Sequence, residues 1–224
     1  MNPNDSRNPI PAVDTAAVAD TMRRILHAEA EAIAAIPVTD GYGRAVELIV
    51  DHVHRRGGKL VTSGMGKCGQ IAMNIATTFC STGTPAVNLH PAEAQHGDLG
   101  ILQPHDVMLL LSNSGKTREI VELVELARNL YPGIPVIVIT GKADSPLAGT
   151  ATVTLCTGDS PEVCPLGLTP TTSTTMMTVM GDVLVVSCMN AIGFTAADYA
   201  LRHHGGYLGS AARSKRERAV TPQQ

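Results

Sequence analysis

Short runs of strand-forming residues alternate along the chain with longer stretches of helical spacing. Five runs read as strands: 59–63 (KLVTS), 86–90, 107–112, 135–140 (PVIVIT) and 152–156. In 107–111 the apolar residues are consecutive rather than alternating, the pattern of a strand buried on both faces. Between the five runs, apolar residues recur three and four apart. The first such stripe holds Val18, Met22, Ile25, Leu26, Ala30, Ile33 and Ile36, with Asp14 or Thr15 as cap and Pro37 as terminator. It is long for a small domain, which also suits packing on a partner subunit. Further helices are predicted over 41–56, after Gly69 through Phe79, from Ile120 through Ala127, over 176–192 and over 196–201. Strands alternating with helices predict an α/β fold, a three-layer α/β/α sandwich around a five-stranded parallel sheet. Such sheets bind ligands beyond the carboxyl ends of their strands.

Composition narrows this picture. With 224 residues and 44% hydrophobic content, the chain suits one domain with a sizeable core. Positions 1–12, rich in proline and asparagine, are expected to be a disordered tail; 13–209 form the domain; the charged stretch 210–224 is expected to be a flexible tail. The net charge of −3 and the scattering of basic residues argue against a nucleic-acid partner. No apolar run approaches membrane-spanning length and no signal-peptide core opens the chain, so the expectation is a cytoplasmic protein without a membrane partner. Cysteines 68, 80, 156, 164 and 188 form no CxxC pair and read as small core or bystander residues, with no zinc site.

The chemistry concentrates after strand ends. The third strand runs into Ser112-Asn113-Ser114-Gly115-Lys116-Thr117 and then into a helix. Such a turn gathers hydroxyls, free backbone N–H groups and a positive dipole end, an anion cradle suited to a phosphate monoester. The same residue types also make ordinary helix caps. Gly64, Gly66 and Gly69 fit G-x-G-x-x-G between strand and helix, but the acidic residue expected at the end of the second strand of a dinucleotide fold is missing. These glycines then suit close approach of the backbone to a smaller phosphorylated ligand, with Lys67 directed into the site. A doubly wound sheet brings to the same edge Ser63, the histidine-rich loop from His90 to Asp98, Glu119, Glu162 and the threonine cluster from Thr169. No metal-ligand spacing appears among them. Phosphate binding beside acid–base groups, with neither metal nor redox cofactor expected, points to proton transfer on a sugar phosphate.

The segments GMGKCG, STGTP, HPAEAQHGDLG, SNSG, TGK, EVCPLGLTPTTSTT, MGD and GFTAADYALRHHGG resemble, in that order, the sugar isomerase (SIS) domain, and more closely the arabinose 5-phosphate isomerases that supply Kdo biosynthesis. The resemblance covers 13–209. It implies interconversion of D-arabinose 5-phosphate and D-ribulose 5-phosphate by a homotetramer with sites at subunit interfaces and no cofactor. It also implies a catalytic set of Lys67, Glu119, Glu162, His203 and His96. Phosphate contacts would come from Ser63, Gly64, Ser112, Asn113, Ser114 and Thr117, and the C-terminal histidine would reach a neighbouring subunit's site. Two departures stand out. Long members of the family continue into paired CBS domains, so a short form is expected here. The family's His-Pro-Gly-Gly-Ala reads His203-His204-Gly205-Gly206-Tyr207.

Moving a carbonyl between C2 and C1 needs a base that takes a proton from one carbon and returns it to the next. A water-shielded carboxylate of raised pKa can do this; Glu162 is the first candidate and Glu119 the second. His203 or His96 would open the furanose, and Lys67 would neutralise phosphate or enediolate oxygen. Two rival readings are an isomerase of a hexulose or heptulose phosphate and a non-catalytic phosphosugar sensor. The sensor form carries a helix-turn-helix domain before the sugar domain, and 1–58 show no basic recognition helix.

Overall fold

The computed structural model describes residues 12–220; all but the last residue of the tail expected over 1–12, and positions 221–224, lie outside the described residues. Five parallel strands, β1 (Leu60–Gly64), β2 (Ala86–Asn88), β3 (Val107–Leu111), β4 (Val136–Thr140) and β5 (Val153–Cys156), form one sheet in the order β2-β1-β3-β4-β5. The order reverses between β1 and β3, which opens the crevice of a doubly wound sheet at their carboxyl ends. Register levels that edge: Gly64 pairs with Leu111, Leu111 with Ile139, and Thr140 with Cys156.

Side-chain alternation along the strands feeds two cores. Leu60, Leu109, Leu111, Ile137 and Ile139 pack on one face, under α2 (Gly41–Ile49), α3 (Lys67–Ser81) and α7 (Thr172–Ala191). Val61, Met108, Leu110, Val136 and Val138 pack on the other, under α4 (Pro91–Ala94), α5 (Arg118–Leu130) and α6 (Pro146–Thr150). The three-layer α/β/α sandwich expected from the chain is the one observed. Asp14 caps α1 (Thr15–Ala34) as predicted, its carboxylate accepting from Ala16 and Ala17. The single helix expected over 41–56 is α2 continued by a π-helical turn, Val50–Arg55.

Two features depart from the sequence reading. By length and composition α7 is apolar enough to cross a membrane, yet half of it is buried here. Met176, Met177, Met180 and Leu184 lie in the core, and Gly181 lets Ile75 of α3 approach to within 2.5 Å of where a Cβ would stand. It is the core helix of the sandwich. After α8 (Ala196–Arg202), the segment expected to be flexible from Ser210 onward belongs to α9 (Gly206–Val220). Residues 210–220 contain no proline or glycine, and their alanine, lysine, arginine and glutamate favour helix.

Gly64 couples the sheet to the site. A Cβ there would stand 2.6–2.8 Å from backbone atoms of Cys68 and Gly69, and Gly69 would likewise meet the Gly64 carbonyl. The start of α3 therefore sits directly on the end of β1. Gly64→Ala is expected to cost about 1–3 kcal/mol, because backbone must move to admit the methyl group. The midpoint of thermal unfolding should fall by roughly 2–4 °C for each kcal/mol in a chain of this size. An unchanged midpoint would refute the close approach.

Candidate functional site

Backbone hydrogen bonds assemble the carboxyl edge. Ser112 N–H donates to Ile139 O (3.1 Å), and Gly141 N–H (3.0 Å) and the Thr140 hydroxyl (3.3 Å) donate to Asn113 O. The Asn113 backbone also hydrogen-bonds the Cys68 thiol, which ties the start of α3 to the loop after β3. Gly115, at φ +60°, leaves room for Ser145, whose Oγ would lie only 2.0 Å from an added Cβ.

Within the 112–117 loop, Ser112 Oγ accepts from Gly115 N–H (3.1 Å) and lies 2.9 Å from Thr117 Oγ1. One hydroxyl proton of that pair remains to meet a ligand oxygen. Ser114 is exposed, its Oγ accepting from Lys116 N–H (3.2 Å), and Asn113 is exposed beside it. Thr117 stands at the N-cap of α5 without a side-chain cap bond, so the helix offers its first N–H groups to the loop. Ser63 is placed differently: it is fully buried and donates to Leu89 O at 2.6 Å. Its hydroxyl braces β1 against the end of β2 instead of facing the cradle. Gly64 lies buried beneath it.

Lys67, the first residue of α3, is exposed and lines an open cavity of about 350 Å³ with the start of α7. Glu119 lies in the first turn of α5, half-buried and without a hydrogen bond among the described residues. His96 is exposed next to Gln95, whose Nε2 donates to Glu122 at 3.1 Å, one turn beyond Glu119. The fold thus gathers the cradle, Lys67, Glu119 and His96 at one edge.

Glu162 joins them in an unexpected role. Its Oε2 accepts from Thr171 N–H (2.7 Å) and the Thr171 hydroxyl (2.8 Å), and its Oε1 accepts from the Ser173 hydroxyl at 2.5 Å. A carboxylate at the amino end of a 20-residue helix also meets its positive dipole end. Burial alone would raise this carboxyl, but the hydrogen bonds from Ser173 and Thr171 outweigh it and hold the pKa below the ordinary value. The raised pKa expected at Glu162 is not met, and its carboxylate caps the start of α7. A lowered folded pKa means stability that is present above the unfolded value of 4.5 and is lost as pH falls through the folded one. Glu162→Gln should therefore lower the thermal midpoint at pH 7, with a smaller loss at acid pH where the parent has also lost the charge. Equal losses at pH 7 and pH 3 would refute the cap.

His203 stands apart. It ends α8, its ring stacked on Tyr199 at 3.8 Å and its Nδ1 3.0 Å from Tyr199 O. Neighbouring Arg202 lies over Phe194, and the Phe194 ring approaches Gly83 in the turn between α3 and β2. That turn is at the amino edge of the sheet, one length of α3 from Lys67, about 22 Å for 15 residues. Tyr207 is 85% exposed at the start of α9. Among the described residues no three His, Cys, Asp or Glu side chains gather as a metal-holding group.

Sequence reading passed over two features. Ser173, one hydroxyl in a run of them, is the anchor of Glu162. Cys164, read as a bystander, has its thiol lowered to about 7 by the Thr169 hydroxyl first, then by the N–H groups of Thr169 (3.2 Å) and Leu168 (3.3 Å), from which its sulfur accepts.

The family model for the SIS domain matches residues 54–187. Arabinose 5-phosphate isomerase KdsD of Escherichia coli strain K12 is 51% identical over 152 residues, 68% of this chain and 46% of that protein. The chain thus spans about half the length of the curated relatives it matches. Among solved structures, a Bacteroides fragilis protein assigned as a phosphosugar isomerase involved in capsule formation is 65% identical, with a TM-score of 0.84 over 85% of this chain and 99% of that one. An Escherichia coli CFT073 protein in complex with arabinose 5-phosphate is 31% identical, with a TM-score of 0.79 over 85% of this chain and all of that one.

Proposed function

The chain belongs to the SIS domain family, and from that premise we propose that it interconverts D-arabinose 5-phosphate and D-ribulose 5-phosphate through an enediol. The observation that carries the reading is the convergence on one sheet edge of a hydroxyl and N–H cradle, a lysine and a carboxylate that makes no hydrogen bond among the described residues. The cradle holds the phosphate; Glu119 takes a proton from one carbon beside the carbonyl and returns it to the other; Lys67 meets the negative oxygen that develops between. Glu119 takes the part of base that the sequence reading first gave Glu162, because the Glu162 carboxylate is committed to hydrogen bonds at α7 and its lowered pKa makes it the weaker base. The relative in complex with arabinose 5-phosphate and the KdsD isomerases support the substrate.

His203 completes the site from a second subunit in this reading, with His96 as the local proton carrier. Exposed Val18, Met22 and Leu26 of α1, with Val183 and Val186 of α7, supply apolar surface for a homotetramer. A cytoplasmic setting goes with the reading, since doubly charged sugar phosphates stay in the compartment that makes them.

Incubation of the protein with D-arabinose 5-phosphate in D2O, followed by NMR, tests the reaction. Ribulose 5-phosphate carrying deuterium at C1 is the expected product. Ribose 5-phosphate, glucose 6-phosphate and sedoheptulose 7-phosphate run in parallel. Turnover of a hexose or heptulose phosphate alone would replace the substrate, and binding without turnover of any sugar would replace the enzyme by a sensor.

A further inference from the structure

Between the C-terminal half of α1 and the loop before α7 lies a cavity of about 550 Å³. Arg24, Glu31 and Ala32 line one side, and Glu162, Cys164 and Thr172 the other. That volume is within the range of small-molecule sites. Thr172 is 1% exposed, and its Oγ1 has no hydrogen-bond partner among the described residues. Buried polar groups are satisfied with few exceptions, so an unpaired hydroxyl in a cavity wall marks a place for a ligand atom. Three charged groups surround the space. Glu162 is committed to the start of α7, and Glu31 lies 3.3 Å from the His27 ring. Arg24 is exposed and makes no ion pair among the described residues, which leaves a cation for an anionic ligand.

Cys164 gives this cavity a nucleophile. Gly167, at φ +61°, donates its N–H to Cys164 O (2.9 Å) and curls the loop back on the cysteine. The sulfur accepts from the Thr169 hydroxyl and from the N–H groups of Thr169 (3.2 Å) and Leu168 (3.3 Å). Such a nest of donors stabilises a thiolate and lowers the thiol to about 7. Other cysteines are placed differently. Burial pushes Cys68 up and Cys188 up to about 12, and exposed Cys80 has a carbonyl, Ala86 O, 3.0 Å from its sulfur. We propose that Cys164 is a thiol-modification site and that the cavity admits a small disulfide bearing carboxylates. Having given its proton to solvent, the Cys164 sulfur attacks one sulfur of that disulfide; a new S–S bond forms and the old one breaks. The departing half leaves as a thiolate and takes a proton from water, so Cys164 is oxidised as the leaving half is reduced. Arg24 meets a carboxylate of the half that stays, and the Thr172 hydroxyl donates to one of its oxygens.

Mass spectrometry of the full chain treated with glutathione disulfide, with peptide mapping of the adduct, tests the site. The expected result is one added half-disulfide, at Cys164 ahead of exposed Cys80, and no early adduct in Cys164→Ser. The rate at Cys164 should climb with pH and level off above about 7, where the thiol is half ionised. Arg24→Gln should slow glutathione disulfide about two- to fivefold, the worth of one partly exposed ion pair. The same variant should not slow cystamine, a disulfide that carries amines in place of carboxylates. Thr172→Val should also slow glutathione disulfide while holding the thermal midpoint, because the hydroxyl it removes makes no hydrogen bond within the protein. Label reaching Cys80 first, or Arg24→Gln and Thr172→Val reacting with glutathione disulfide at the parental rate, would overturn the site.

Discussion

Glu119→Gln is expected to lower kcat/KM for arabinose 5-phosphate by about 10²–10⁴-fold, the range of a lost general base. Its fold should barely change. Glutamine is nearly isosteric, and the carboxylate in the first turn of α5 makes no hydrogen bond whose loss would be felt among the described residues. What is lost is a favourable contact with the helix dipole, about 0.3–1 kcal/mol. Deuterium uptake from solvent should fail along with turnover, because the variant cannot take the first proton. Glu162→Gln is expected to behave in the opposite way, losing stability at neutral pH while keeping more of its activity. The pair decides between the two carboxylates. A folded, inactive Glu162→Gln beside a Glu119→Gln with more than a third of parental activity would return the base to Glu162.

This contrast also marks how far the chain can be read without its structure. The sheet was legible because Val107–Leu111 and the first four residues of Val136–Thr140 are apolar throughout, as strands buried on both faces require. The turn at 112–117 was legible because Ser, Asn and Thr stand there between a strand and a helix, where they suit a cap as well as an anion. Role assignment was the weaker step. Glu162 and Glu119 are both acids near glycines or helix starts, and only tertiary contacts separate them: Ser173 and Thr171 lie nine to eleven residues from Glu162 and meet its carboxylate as α7 begins. Ser63 was taken for a phosphate contact on the resemblance to the family, yet the bond to Leu89 that turns it inward spans 26 residues. Sequence spacing is blind to such pairings, since they depend on which face of β1 the residue occupies. Helix α9 was missed for a different reason: its charged composition is also that of a solvated tail, and only the absence of breakers distinguishes it.

His203 raises the sharpest consequence of the fold. Its ring is held by stacking and by the bond to Tyr199 O; with Nδ1 as donor there, Nε2 is left as an acceptor, the tautomer of a general base. Yet it sits at the opposite end of α3 from Lys67, so no site built from one chain contains both. If His203 serves catalysis, a second subunit must bring it, and a symmetric interface would make that exchange mutual. His203→Gln and Lys67→Met should each be inactive as pure proteins. Dissociated, mixed in equal amounts and reassembled, they should recover about a quarter of parental activity, because half of all cradles keep Lys67 and half of those receive an intact histidine. Mixed oligomers verified by mass that remain inactive would mean that His203 acts at no neighbouring site, and the stack on Tyr199 would then be its structural purpose.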